Sequence, residues 1–200
     1  MLVIGLTGPS GAGKGEVGRI FESYGIPVID ADDVYRKLLL PPSSCLKELT
    51  EEFGGEILTP TGELDRKKLS AIVFASPAAL QTLNHIAHRY VMEEIRRQLE
   101  LLRRTGARAA VLDAPQLFEA VADKDCGTII SVLADKGIRL ERIMARDKID
   151  AESAMRRINA QRSDDYFRTR SDYVIENNGS PEHLLPKVRK ILLELGVIED

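Results

Sequence analysis

The chain has 200 residues, 44% of them hydrophobic, which suffices for a substantial buried core and excludes disorder as its main state. Its 28 Lys and Arg nearly balance 31 Asp and Glu, for a formal charge of −3, which excludes a surface given over to nucleic acid. Cys45 and Cys126 lie far apart with no CxxC or Cys/His spacing, excluding a disulfide framework and a zinc site, and no apolar run reaches the roughly 18 residues of a membrane span, so a cytoplasmic chain without a membrane partner is expected.

Leu2 to Leu6 is continuously apolar, which suits a parallel strand buried on both faces, and a glycine-rich turn follows it. No basic region precedes this run, so it reads as a strand and not as a secretory signal. Val17, Ile20 and Phe21 fall at helical spacing between Glu16 and Tyr24, and Gly25 supplies a stop. Pro27 to Ile29 is a second short strand, closed by Asp30, Asp32 and Asp33. Only one of Asp30 and Asp32 is expected to face the glycine turn, and Asp33 fits the cap of the next helix. From residue 34 to about 104 the pattern is helical, with Leu46, Leu49 and Phe53 on one stripe and Ile86, Tyr90, Ile95, Leu99 and Leu102 on a longer one. Further strands are read at Ala109 to Leu112, Thr128 to Leu133 and Tyr173 to Ile175. Strands separated by helical stretches predict an α/β fold, a parallel sheet covered on both faces, with ligands at the strand carboxyl ends.

Gly8-Pro-Ser-Gly-Ala-Gly-Lys14 matches G-x-x-x-x-G-K between a predicted strand and a predicted helix, the context that makes a phosphate loop credible. Glycines let backbone N–H groups of Gly11, Ala12 and Gly13 curl around phosphate oxygens, while Lys14 adds a point charge. The next position normally carries a hydroxyl that ligates magnesium, but here Gly15 and Glu16 follow. Either the ion is held by phosphates, waters and carboxylates, the reading preferred because magnesium retains waters, or its binding is weakened and activity lost. Asp32 is the candidate to orient an acceptor hydroxyl and take its proton, with helix capping as the competing role. Asp113 follows an apolar strand, as a metal-shell acid does, although such a residue is often a turn or cap.

Ten basic residues stand against six acids between Lys136 and Arg170. Arg139, Arg142 and Arg146 share one helix face, able to serve polyphosphate as a closing lid or simply to be solvated. His85 and His88 are three apart, but no third metal ligand accompanies them; His88 could instead touch an anionic substrate.

Several motifs occur in order: Gly5-Leu-Thr-Gly8 with Gly11 to Lys14, Ile29-Asp-Ala-Asp32 with Arg36, Leu83-Asn84 with His88, Pro115-Gln-Leu-Phe-Glu119, Arg146-Asp147 with Arg157 and Gln161, and Asp172 to Ser180. Together they resemble the dephospho-CoA kinase family over nearly the whole chain. The resemblance implies a three-layer P-loop kinase fold in one domain across residues 1–200, with a helical CoA-side insertion at about 34–104 and a small lid at about 139–170. It implies ATP-dependent phosphorylation of the ribose 3′-hydroxyl of dephospho-CoA, with magnesium. Asp32 takes the acceptor-activating position, Lys14 and the loop through Gly15 and Glu16 meet the nucleotide, Arg146 reaches its phosphates, and Asn177 and Gly179 lie near its base. Arg36, His88, Leu117, Phe118 and Glu119 fall on the acceptor side. Besides Gly15 and Glu16, Arg89 stands where the family often has Pro, and Gln116 interrupts Pro-Leu-Leu. The loop also looks like that of cytidylate kinases, which leaves a nucleoside monophosphate kinase as one alternative, and a catalytically silent nucleotide or CoA sensor as another.

Overall fold

In the computed structural model, which describes residues 1–199, the apolar runs become five strands: β1 (Leu2–Thr7), β2 (Val28–Asp30), β3 (Ala109–Asp113), β4 (Thr128–Leu133) and β5 (Tyr173–Glu176). They lie in the order β2-β3-β1-β4-β5. The ladders of β1 with β3, β1 with β4, and β4 with β5 are parallel. The chain first builds leftward from β1 and then rightward, so the topological switch falls beside β1. The crevice at the carboxyl end of that strand is where sheets of this kind bind ligands.

Two compact units divide the chain, one formed by Met1–Ile29 with the residues from Leu102 onward, the other by Asp30–Leu101. In the sheet unit, α1 (Lys14–Ser23) buries Val17 and Phe21 in a core shared with Ile4, Leu6, Val111, Ile130 and Val132. This happens because β1, β3 and β4 have no polar face to show to water.

The second unit contains α2 (Ala31–Leu38), α3 (Ser44–Phe53), α4 (Arg66–Ala75) and most of α5 (Pro77–Arg104). Their apolar stripes close on a separate core of Leu39, Cys45, Leu49, Ile57, Leu69, Val73 and Ile86. Burial pushes the Cys45 thiol up to about 11, with the Glu48 charge adding to it, so this cysteine is a small apolar core residue. Each of three helix starts is capped by the residue before it: Asp30 for α2, Ser43 for α3 and Asp65 for α4. The cap of α2 is thus Asp30 and not Asp33, whose carboxylate turns to Lys37 at 2.7 Å and Arg36 at 3.3 Å. Asp32 is already helical, so the turn from strand to helix parts it from Asp30. Strand alternation does not, because residues two apart on a strand share a face.

Returning to the sheet unit, α6 (Lys136–Asp147) and α7 (Ala151–Asn159) share the buried residues Ile143, Ala154 and Ile158. The short α8 (Asp164–Arg168) precedes β5, and α9 (Leu184–Glu194) adds Val188 and Leu192 to the main core. No helix among the described residues is long and apolar enough to cross a membrane.

Candidate active site

The glycine-rich turn between β1 and α1 has a backbone that only glycine tolerates. Gly8 has φ 136°, and a Cβ there would lie 2.1 Å from the Val132 carbonyl oxygen; Gly13 has φ 98°, and its Cβ would lie 2.2 Å from Asn177 Nδ2. Gly13 caps α1 with no side-chain bond, and a helix start without a side-chain cap suits an anion. Lys14 Nζ donates to the Gly8 carbonyl at 3.1 Å, which bends the ammonium back over the loop.

Behind the loop stands α6. Arg139 Nε donates to Ser10 O at 3.0 Å, and Arg142 Nη1 approaches Gly11 O and Ala12 O, both at 3.4 Å, and Asn177 O at 3.2 Å. Asn177 Nδ2 completes the set with a 2.8 Å bond to Ala12 O. In a trans peptide the carbonyl and the following N–H point in opposite directions. Holding the carbonyls of Ser10, Gly11 and Ala12 toward α6 therefore turns the N–H groups of Gly11 and Gly13 away from it, the orientation a bound phosphate requires. The arginine row read from the sequence as a lid face or a solvated face thus meets the loop's own backbone at Arg139 and Arg142. Burial lowers the pKa of Arg139 from its usual value, although a guanidinium stays charged.

Arg146, one turn further along α6, donates to Ser10 Oγ at 3.1 Å and to Asp147 at 2.7 and 2.9 Å. Asp147 also accepts from Arg157, and its two arginine partners hold its carboxyl below the usual carboxylate range. Asn178 and Asp135 exchange two bonds, 2.8 and 2.9 Å, that tie the end of β5 to the start of α6. A Cβ at Gly179 would meet His183 Nδ1 at 2.8 Å.

The metal question turns on the donor set. Among the described residues, no three His, Cys, Asp or Glu side chains gather as a metal shell. Gly15 offers no oxygen, and nothing stands within 4 Å of where its Cβ would be. Glu16 pairs with Arg19 on the exposed side of α1. Asp113 ends β3 in register with Leu6, and its Oδ1 is buried. This set fits an ion that arrives on nucleotide oxygens and waters, with a single protein carboxylate available nearby in the sheet.

On the segment after β3, Leu117 is fully buried, its Cδ2 2.9 Å from where a Gly5 Cβ would lie, so its side chain holds the segment instead of facing a ligand. Cys126 fills the same spot, and burial pushes its thiol up to about 12. Phe118 packs edge-on against Tyr166 at 5.7 Å, and Glu119 accepts from Arg162 at 3.3 Å.

In the helical unit, Asp32 is exposed in the first turn of α2, its N–H held by Asp30 at 2.8 Å, and Arg36 follows one turn later. His88 lines an open groove of about 510 Å³ along α5, with His85, Arg89, Met92, Glu93 and Arg96. Arg89 donates to both oxygens of Glu48 at 2.5 and 2.6 Å, and Tyr90 adds a third bond at 2.8 Å. These partners hold the Glu48 carboxyl below its usual range. The position where the family often has Pro is therefore an ion-pair anchor for α3 on α5, a role sequence reading missed because Glu48 lies 41 residues away.

Known proteins resemble this chain over nearly its whole length. The family model described as dephospho-CoA kinase matches residues 2–183. A curated dephospho-CoA kinase of Arabidopsis thaliana is 40% identical over 195 residues, 98% of this chain and 84% of that protein. The solved structure of dephospho-CoA kinase from Campylobacter jejuni superposes with TM-score 0.72 at 27% identity, covering 96% of each chain. A shikimate kinase from Acinetobacter baumannii, 19% identical over 98% of this chain and 94% of its own, shares the fold with TM-score 0.54.

Proposed function

The chain belongs to the dephospho-CoA kinase family, and from that premise we propose that it transfers the γ-phosphoryl group of ATP to the ribose 3′-hydroxyl of dephospho-CoA, giving coenzyme A. The observation that carries the reading is the glycine loop, whose carbonyls are held outward by Arg139, Arg142 and Asn177, which turns the N–H groups of Gly11 and Gly13 toward the side where a phosphate would sit. A loop oriented before substrate arrives stabilises charge without reorganising during the reaction.

In the proposed reaction the 3′-oxygen attacks the γ-phosphorus, the bond to the β,γ-bridging oxygen breaks, and the hydroxyl proton passes to the Asp32 carboxylate. Lys14 and the N–H groups of Gly11, Gly13 and Gly15 take the β- and γ-phosphates, whereas those of Ala12 and Glu16, also expected there, donate to Pro9 O at 3.2 Å and Gly13 O at 3.1 Å. Arg146 leaves Asp147 to meet them from the 139–170 segment, which acts as the lid and keeps water from accepting the phosphoryl group. Magnesium would be held by nucleotide oxygens and waters, with Asp113 as the candidate protein carboxylate, and would supply charge neutralisation on the phosphates. Asn177 and Gly179 border the adenine side. Arg36, His88 and the 34–104 insertion are assigned to dephospho-CoA, as are Phe118 and Glu119, while the side chain of Leu117 is buried in its own unit. Two free cysteines suit a reducing compartment, and the proposed setting is the cytoplasm.

The test is phosphoryl transfer from magnesium ATP to dephospho-CoA, with CMP and AMP as parallel acceptors and products identified by mass. Conversion of dephospho-CoA alone is expected. Transfer to CMP would make the chain a nucleoside monophosphate kinase, and tight binding without transfer would make it a sensor.

A further inference from the structure

Between the loop and the lid segment lies a small polar knot in which Gln161 joins Arg139 and Ser10. The Arg139 side chain is only 6% exposed, and its guanidinium faces three different segments. Nε donates to Ser10 O at 3.0 Å, Nη2 to Gln161 Oε1 at 2.7 Å, and Nη1 stands 3.6 Å from Asp164 Oδ1 at the start of α8. Gln161 Oε1 accepts a second bond, from Ser10 N–H at 3.0 Å. Two donors converge on that one atom, and only an amide oxygen can accept both, so the orientation of the Gln161 side chain is determined.

The result is that both backbone groups of Ser10 are held, its carbonyl by Arg139 and its N–H by Gln161. Burying a guanidinium is costly, and an apolar side chain of similar volume would pack as well or better. What an apolar residue cannot do is set the plane of the Ser10–Gly11 peptide. That plane decides where the Gly11 N–H points, and Gly11 lies with φ 80° in the middle of the loop. The other atoms of Ser10 are also committed, since its hydroxyl accepts from Arg146 at 3.1 Å.

We propose that Arg139 and Gln161 act as one positioning pair that sets the Ser10–Gly11 peptide of the phosphate loop, so that the segment between α7 and α8 governs how well the loop receives nucleotide. The proposal rests on the kinase reading above. Neither residue touches the reacting atoms; both act through the loop.

Gln161 is only partly buried, so replacing it leaves the core intact. Gln161→Met keeps the length of the side chain and removes the acceptor, whereas Gln161→Glu keeps an oxygen able to accept from both Arg139 and Ser10. Gln161→Met is expected to raise KM for ATP, and to weaken binding of a fluorescent ATP analogue, by about tenfold, the effect of losing hydrogen bonds to a charged group, with KM for dephospho-CoA changed less than about twofold. Gln161→Glu should restore most of the ATP affinity. In the nucleotide-free protein, hydrogen exchange over residues 8–13 should be several-fold faster in Gln161→Met than in wild type, with the strands unchanged. Arg139→Lys, which keeps a donor for Ser10 but loses the fork to Gln161, should fall between the two and carries the same measurements if Gln161→Met does not fold.

An ATP KM and analogue affinity within about twofold of wild type in Gln161→Met would overturn the pair, as would a fall in kcat alone that follows the folded fraction, or a Gln161→Glu variant as impaired as Gln161→Met. Failure of wild type itself to phosphorylate dephospho-CoA would strike the kinase reading instead, while analogue binding and exchange would still judge the pair.

Discussion

The phosphate loop and the first turn of α2 both hold a charged function in place, yet by opposite means. Residues 8–13 are fixed by partners that lie 129 to 165 residues away in the chain, among them Arg139 and Asn177. Asp32 is fixed by neighbours within the same turn, through the bond from its N–H to Asp30. The loop's form rests on side chains from α6, from the segment after α7 and from the end of β5, so losing one of them loosens it while the strands stay paired. The start of α2 can open by fraying one turn. The loop's order therefore depends on tertiary packing, while the proposed acceptor-side acid sits in the first turn of a helix, which can fray by itself.

Removing the acid itself has the largest expected effect. Asp32→Asn is expected to lower kcat by about 10²–10⁴-fold, the usual contribution of a general base, while leaving ATP affinity near wild type. Rate assays and equilibrium nucleotide binding separate the two effects, and unchanged turnover would take Asp32 out of the reaction. On the loop side, Gly8→Ala meets the Val132 carbonyl oxygen at 2.1 Å in a conformation with positive φ. It should destabilise the sheet unit by about 3 kcal/mol, read as a shift of the denaturation midpoint together with lost ATP binding.

A smaller effect sharpens the contrast between neighbouring acids. Asp30→Ala removes the α2 cap, with its bonds of 2.8 and 3.0 Å to the N–H groups of Asp32 and Asp33, and should cost about 1 kcal/mol. Asp30→Asn keeps an acceptor at the cap and should cost far less. If Asp30→Ala lowered turnover as far as Asp32→Asn does, Asp30 would be the better base.

What the sequence made legible follows the same division. Strand positions, the sheet class and the loop were readable, since continuous apolar runs and a G-x-x-x-x-G-K turn are local signals. The helical content of the stretch after β2 was also readable from its 3.6-residue pattern. The partners of the loop were not. Arg139 looks in sequence like any arginine on a charged helix, and only the three-dimensional approach of α6 to the loop gives it Ser10. Glu48 gave no signal, because its partners Arg89 and Tyr90 belong to another helix. Asp33 seemed the natural cap by composition. The chain begins the helix one residue after β2 ends, which moves the cap to Asp30.

The smallest expected effect concerns the residue after the lysine. Gly15 lies within α1, and nothing stands within 4 Å of a Cβ there, so neither packing nor backbone demands glycine. Glu16 pairs with Arg19 on the exposed face of the helix. Gly15→Ser should therefore fold normally and stabilise α1 by about 0.5 kcal/mol. It should also lower the magnesium concentration for half-maximal rate on the order of threefold, because a hydroxyl at this position can join the ion's shell. Magnesium titrations at saturating ATP and dephospho-CoA measure it. A shift in that direction would mean that the native loop works with a shell completed by water. An unchanged midpoint in a folded, active variant would mean that the ion is held away from α1, and would turn attention to the buried oxygen of Asp113.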